Sequence, residues 1–98
     1  MEDCVESGLV KHIGVSNCSI KKIEELSSAK IRPEVNQIEL HPYLQQDEML
    51  SYCNVNNIYL TAYSPLGSLD RPDVMKGANE PSLIENPVVG KIAQAHSC

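Results

Sequence analysis

Val35-Asn-Gln-Ile-Glu-Leu-His-Pro42 is a short strand-like run closed by turn-forming residues. A similar run, Lys11-His-Ile-Gly-Val-Ser-Asn17, precedes it, and another, Leu60-Thr-Ala-Tyr-Ser-Pro-Leu-Gly-Ser68, follows. Segments with helical periodicity lie between them. Strands that alternate with helices argue for a parallel sheet with right-handed crossovers. In that architecture ligands bind at the carboxyl ends of the strands. The polar residues that close these runs are therefore the first place to look for a site.

Outward from these runs, residues 1 to 7 read as the tail of a helix, and Gly8 as its left-handed C′ residue. A chain that opens in this way reads as cut from something longer. Leu9 to Ser16 is the first expected strand. Ser19 is a good N-cap for a helix carrying Ile20, Ile23 and Leu26, and Lys30-Ile-Arg-Pro33 ends that helix. Val35 to Leu40 is the second strand. A helix from about Asp47 to Val55 follows, with Met49, Leu50 and Cys53 on its buried face and Asn56-Asn57 as its left-handed stop. Ile58 to Ser64 is the third strand. A loop rich in Pro, Gly, Asp and Asn runs from Pro65 to about Glu85. Asn86-Pro87 then pairs an N-cap with Pro at the first helical position, ahead of an apolar face of Val88, Val89, Ile92 and Ala93.

Period two divides each strand into faces. Ile13 and Val15 oppose His12, Gly14 and Ser16; Ile38 and Leu40 oppose Gln37 and Glu39; Leu60 and Ala62 oppose Thr61 and Tyr63. A doubly wound sheet is apolar on both faces because helices cover both. One apolar face suits the helix-covered outside of a barrel, with the polar face lining its lumen. The expected fold is α/β: a partial (β/α)8 TIM barrel of about three parallel βα units, forming a single unit over residues 1–98.

Composition narrows the function classes. The chain has 98 residues, 42% of them hydrophobic, with tyrosine as its sole aromatic side chain. The balance of 8 basic to 13 acidic residues gives a net charge of −5, so no basic stripe for nucleic acid is expected. No run approaches the roughly 18 apolar residues of a membrane span. The acidic start, Met1-Glu-Asp-Cys-Val-Glu, is unlike a secretory or transit signal, and a cytoplasmic location is expected. Cys4, Cys18, Cys53 and Cys98 match no zinc or redox spacing and read as free thiols.

Gly8-Leu-Val-Lys11, Gly14-Val-Ser-Asn17, Val35-Asn-Gln-Ile-Glu-Leu-His-Pro-Tyr43, Thr61-Ala-Tyr-Ser-Pro-Leu-Gly-Ser68 and Asp70-Arg-Pro72 occur in this order. Together they resemble the aldo-keto reductase family, from the end of its fourth helix through the fifth, sixth and seventh strands to the seventh helix. The resemblance implies an NADP(H)-binding (β/α)8 barrel that reduces aldehydes and ketones, with a small carbonyl compound as substrate. Carried over by position, Ser16, Asn17 and Gln37 would hydrogen-bond the nicotinamide carboxamide. Tyr63 would stack on the nicotinamide ring. Ser64, Leu66 and Ser68 would form part of the pyrophosphate loop, and Asp70 half of a latch over the cofactor. Cys18 stands where many members have Phe, and Asn57 where Gly is common.

The same resemblance implies that the proton-donating tyrosine and its aspartate, lysine and histidine partners lie on the first four strands, outside these residues. No catalytic residue and no metal ligand is assigned here. The chain alone is expected to be inactive as a reductase. Taken without the family, Ser16-Asn17 is a strand-to-helix turn, Gln37 a satisfied buried amide and Tyr63 a packing residue. His12 reads as a core or lumen histidine, His96 as solvated, and His41 with Tyr43 as no acid–base pair. Another class of function stays open: a non-catalytic nucleotide-binding or interaction module that associates with another chain. Open strand edges would invite self-association.

Overall fold

The computed structural model describes residues 1–67 and 82–98. Helix α1 (Glu2–Glu6) leads into strand β1 (Gly14–Ser16), helix α2 (Ile20–Glu25) and strand β2 (Val35–Glu39). Helix α3 (Asp47–Val55), strand β3 (Tyr59–Tyr63) and helix α4 (Pro87–Ala95) follow. A single 3-10 turn, Leu26–Ser28, extends α2. The strands form one parallel sheet in the order β1-β2-β3. This is the arrangement of a sector of a (β/α)8 barrel, as the alternation of strands and helices predicts.

The helices start and stop where their capping residues dictate. Ser19 accepts from the Lys22 N–H at 3.2 Å and opens α2. Asn86 accepts from the N–H groups of Val88 and Val89 and opens α4, with Pro87 at its first position. Gly8, at φ +75°, closes α1 in a Schellman motif: Leu9 N–H reaches Cys4 O and Gly8 N–H reaches Val5 O, each at 3.0 Å. Asn57, at φ +57°, closes α3, and Ile58 N–H reaches back to Cys53 O at 2.9 Å.

Register sorts the strand residues into two faces. Val15, Asn36 and Leu60 are lateral neighbours, and Ile38 lies beside Ala62; these look toward the helices. Ser16, Gln37 and Thr61 form a row on the opposite face, one step before Glu39 and Tyr63. The helix side holds the core of Ile23, Cys53 and Ile58, with Cys18, Met49, Tyr52 and Leu60 packed around it. Ser16, Gln37, Tyr59 and Thr61 are exposed on the opposite face. The single apolar face expected for a barrel wall is thus present.

Three expectations need correction. The first strand begins at Gly14 rather than Leu9, and Leu9 and Val10 are exposed. Leu9 and Val10 belong instead to the turn that closes α1, where both N–H groups reach back to Cys4 O; the contact just ahead of β1 is Glu34 N–H to Ile13 O at 2.8 Å. Leu50 is exposed, and it is Tyr52 that packs with Met49 and Cys53 on α3. On α4, Val88 and Ile92 are exposed, whereas Val89 and Ala93 are half-buried.

Gly14 is a position where only a hydrogen fits. A Cβ there would lie 2.8 Å from Val35 O and 3.0 Å from Val35 Cβ. His12 shares the parity of Gly14, yet its side chain is 71% exposed and pairs with the Glu34 carboxylate, so it is no core histidine.

Candidate functional site

Residues from all three strands meet at the carboxyl end of the sheet. Asn17, directly after β1, adopts φ +54°, a left-handed conformation that Asn tolerates better than most residues. Its N–H donates to Gln37 O at 3.0 Å, and the Ser16 hydroxyl donates to the same carbonyl at 2.9 Å. This double bond to one acceptor ties the end of β1 to β2. Tyr63 closes β3, and its hydroxyl donates to Asn17 Oδ1 at 3.2 Å. The ring therefore reaches over the end of the middle strand. Ser16, Asn17, Gln37 and Tyr63 lie together at this end of the sheet. Gln37 is exposed rather than a buried, satisfied amide.

Ser64 and Leu66 belong to a tight turn that follows immediately. Ser64 has φ +49°, Gly67 has φ +79°, and Gly67 N–H donates to Ser64 O at 2.9 Å. Pro65 at the second position supports such a turn. Ser64 is half-buried and Leu66 exposed. Ser68 and Asp70 lie outside the described residues.

Two groups at this end of the sheet escaped sequence reading. Glu39, the last residue of β2, accepts from His41 Nε2 at 3.1 Å. The Tyr43 N–H donates to His41 Nδ1 at 3.2 Å, and Gln46 Nε2 donates to Glu39 O at 3.2 Å. The spacing Glu39-Leu-His41, two apart along an extended chain, was the signal that could have revealed the pair. Asn36 is fully buried on the helix side; its Nδ2 donates to Cys18 O at 3.1 Å, and its Oδ1 has no partner. Its parity with Ile38 and Leu40 placed it there. A further link joins this end to α4: Asn86 Nδ2 donates to the Tyr43 hydroxyl at 2.7 Å.

A cavity of about 780 Å³ opens between the loops after β1 and β2. Asn17, Cys18, Glu39, Gln46, Met49 and Tyr63 are among the residues that line it. Among the described residues no group of three or more His, Cys, Asp or Glu is placed to hold a metal ion. All four cysteines are free, and burial pushes the Cys53 thiol up from its ordinary value. No helix among the described residues is long and apolar enough to cross a membrane.

The donor and acceptor set suits a planar carboxamide. With Asn17 Oδ1 engaged by Tyr63, the Asn17 NH2 group can still donate, and the exposed Gln37 amide can donate and accept. Tyr63, 37% exposed, adds an aromatic face beside them.

The profile of the aldo/keto reductase family matches residues 1–82. An aldo/keto reductase of Synechocystis sp. is 56% identical over the whole chain. Aldo-keto reductase family 1 member A1-A of Danio rerio is 50% identical over 99% of it, and the member A1 protein of Sus scrofa 45% over 99%. The chain spans about 30% of the length of each of these relatives.

Proposed function

This chain belongs to the aldo/keto reductase family, and on that premise we propose that its open sheet face is the nicotinamide-orienting part of an NADP(H) site. In this reading β1, β2 and β3 are the fifth, sixth and seventh strands of a (β/α)8 barrel. Ser16, Asn17 and Gln37 hold the carboxamide, and Tyr63 carries the ring. Ser64 and Leu66 would meet the pyrophosphate. When bound, the cofactor supplies the hydride for reduction of an aldehyde or ketone. The chain's own residues fix which face of the ring is presented, because an amide held at two points cannot turn over.

The observation that carries this reading is the Tyr63–Asn17 hydrogen bond. It joins residues 46 positions apart and sets an aromatic ring next to amide groups on the sheet face that no helix among the described residues covers. The backbone is left-handed at both Asn17 and Ser64, the residues that follow β1 and β3. Such conformations cost energy for residues other than Gly and concentrate at functional sites.

The proton-donating residues of the family have no counterpart on these strands, so the chain orients a cofactor without turning it over. The test is titration of the purified 98-residue protein with NADPH, followed by cofactor fluorescence, with and without a simple aldehyde. Saturable binding without NADPH consumption is expected. Absence of binding would overturn the cradle, and aldehyde-dependent consumption would overturn its inactivity.

A further inference from the structure

Glu39 has no part in the cofactor cradle as proposed above, yet hydrogen bonds hold both its carboxylate and its carbonyl. It ends β2 directly beside Tyr63 in the register, on the same open face, at the strand spacing of about 4.8 Å. Its side chain is 31% exposed, and that of its partner His41 is 12% exposed. The hydrogen bonds fit one arrangement of the imidazole nitrogens. The Tyr43 N–H can only donate, so Nδ1 of His41 is the acceptor, and Nε2–H donates to the carboxylate. With Nδ1 taken as an acceptor, the ring is fixed so that Nε2 meets the carboxylate and orients Glu39. Gln46 secures the same residue from its backbone side. The carboxylate is thus held on one side of the cavity that Asn17 and Tyr63 also line.

We propose that Glu39 sets the preference of this site for the oxidised over the reduced cofactor. The inference rests on the nicotinamide reading above. The two cofactor forms have nearly the same shape and differ in the charge of the ring: the oxidised ring is a cation and the reduced ring is neutral. Tyr63 and the amide groups cannot tell them apart by hydrogen bonding. A fixed carboxylate beside Tyr63 can, since it attracts the cation and does little to the neutral ring. Partial removal from water strengthens that discrimination. His41 is a positioning residue in this scheme: it holds the carboxylate in place.

The experiment compares NADP+ and NADPH binding to the wild-type chain and to Glu39→Gln, Glu39→Asp and Glu24→Gln by calorimetry at pH 7.5. Glu39→Gln keeps an acceptor for His41 and removes the charge. It is expected to weaken NADP+ by about tenfold and to leave NADPH within about twofold, the scale of a partly screened charge pair. Glu39→Asp, which keeps the charge, should restore most of the wild-type ratio. Glu24→Gln changes the net charge equally from an exposed position on α2 and should leave the ratio unchanged. An unchanged ratio in Glu39→Gln, with wild-type binding intact, overturns this inference alone. If the wild-type chain binds neither form, the cradle and the inference fall together. A loss of both forms in Glu39→Gln in equal proportion shows a merely structural role and also overturns it.

Discussion

The Tyr63 hydroxyl and Asn17 Oδ1 meet at 3.2 Å although their strands are not neighbours. The bond passes over the end of β2 and makes one surface out of three strand ends. Replacing Tyr63 with Phe removes the bond and keeps the ring. We expect a stability loss of about 1 kcal/mol or less, because the group is half-exposed, and NADPH affinity within a few fold of wild type. Tyr63→Ala removes the ring as well and should weaken NADPH by at least about tenfold, given about 1–3 kcal/mol for a base stacked on an aromatic ring. Urea unfolding and cofactor fluorescence distinguish the two effects.

Ile23, 2% exposed, joins Cys53 and Ile58 at the centre of the only core cluster among the described residues. Ile23→Ala should cost about 2–5 kcal/mol, the range for truncating a buried aliphatic side chain. In a domain this small that is a large share of the total stability. Far-UV circular dichroism of the variant should show a transition shifted to much lower urea, or no folded baseline.

Burial raises the pKa of Cys53, so pH acts on stability with a definite sign. Below the ordinary cysteine value of about 8.5 the thiol is neutral in both states and contributes no pH dependence. As pH rises past that value the unfolded chain loses its proton first, and folded stability falls. Unfolding midpoints taken from pH 7 to pH 10 should decline above about pH 8.5, less steeply in Cys53→Ala. At pH 8 a maleimide should label exposed Cys4 and Cys98 quickly and Cys53 only in denaturant.

Asn86 does two jobs, as cap of α4 and as donor to the Tyr43 hydroxyl. Asn86→Ala should cost about 1–2 kcal/mol, since a lost cap alone costs about 1. Tyr43→Phe removes the second contact and not the first, so its loss should be the smaller. A double-mutant cycle measured by thermal unfolding would isolate the link between the loop after β2 and α4.

Much of this architecture is legible in local chemistry. Ser19 and Asn86 start helices because their side chains satisfy free N–H groups, and Gly8 and Asn57 stop them because they accept a left-handed turn. Alternation along β2 and β3 correctly separates Gln37, Thr61 and Tyr63 from Ile38, Leu60 and Ala62. What escapes is decided by neighbours. Leu9 has the composition of a strand residue, but its N–H is drawn back to Cys4 O in the turn that closes α1. An apolar stripe shows which side of a helix favours burial, not what lies against it, which is why Leu50, Val88 and Ile92 are exposed. Glu39 looked like one more polar residue on the open face until folding brought His41 back onto it. Asn36 looked polar and turned out to be buried, because parity outweighs polarity where a strand must pair on both sides.

The missing side chain at Gly14 has a consequence for the far end of its strand. Nothing larger than hydrogen fits between Gly14 and Val35, its partner on β2. Ser16 lies two residues further along the same strand, where its hydroxyl and the Asn17 amide share the carbonyl of Gln37. Any methyl group at position 14 would act as a shim. It would leave every residue of the amide cluster in place by name while opening the joint that sets their spacing.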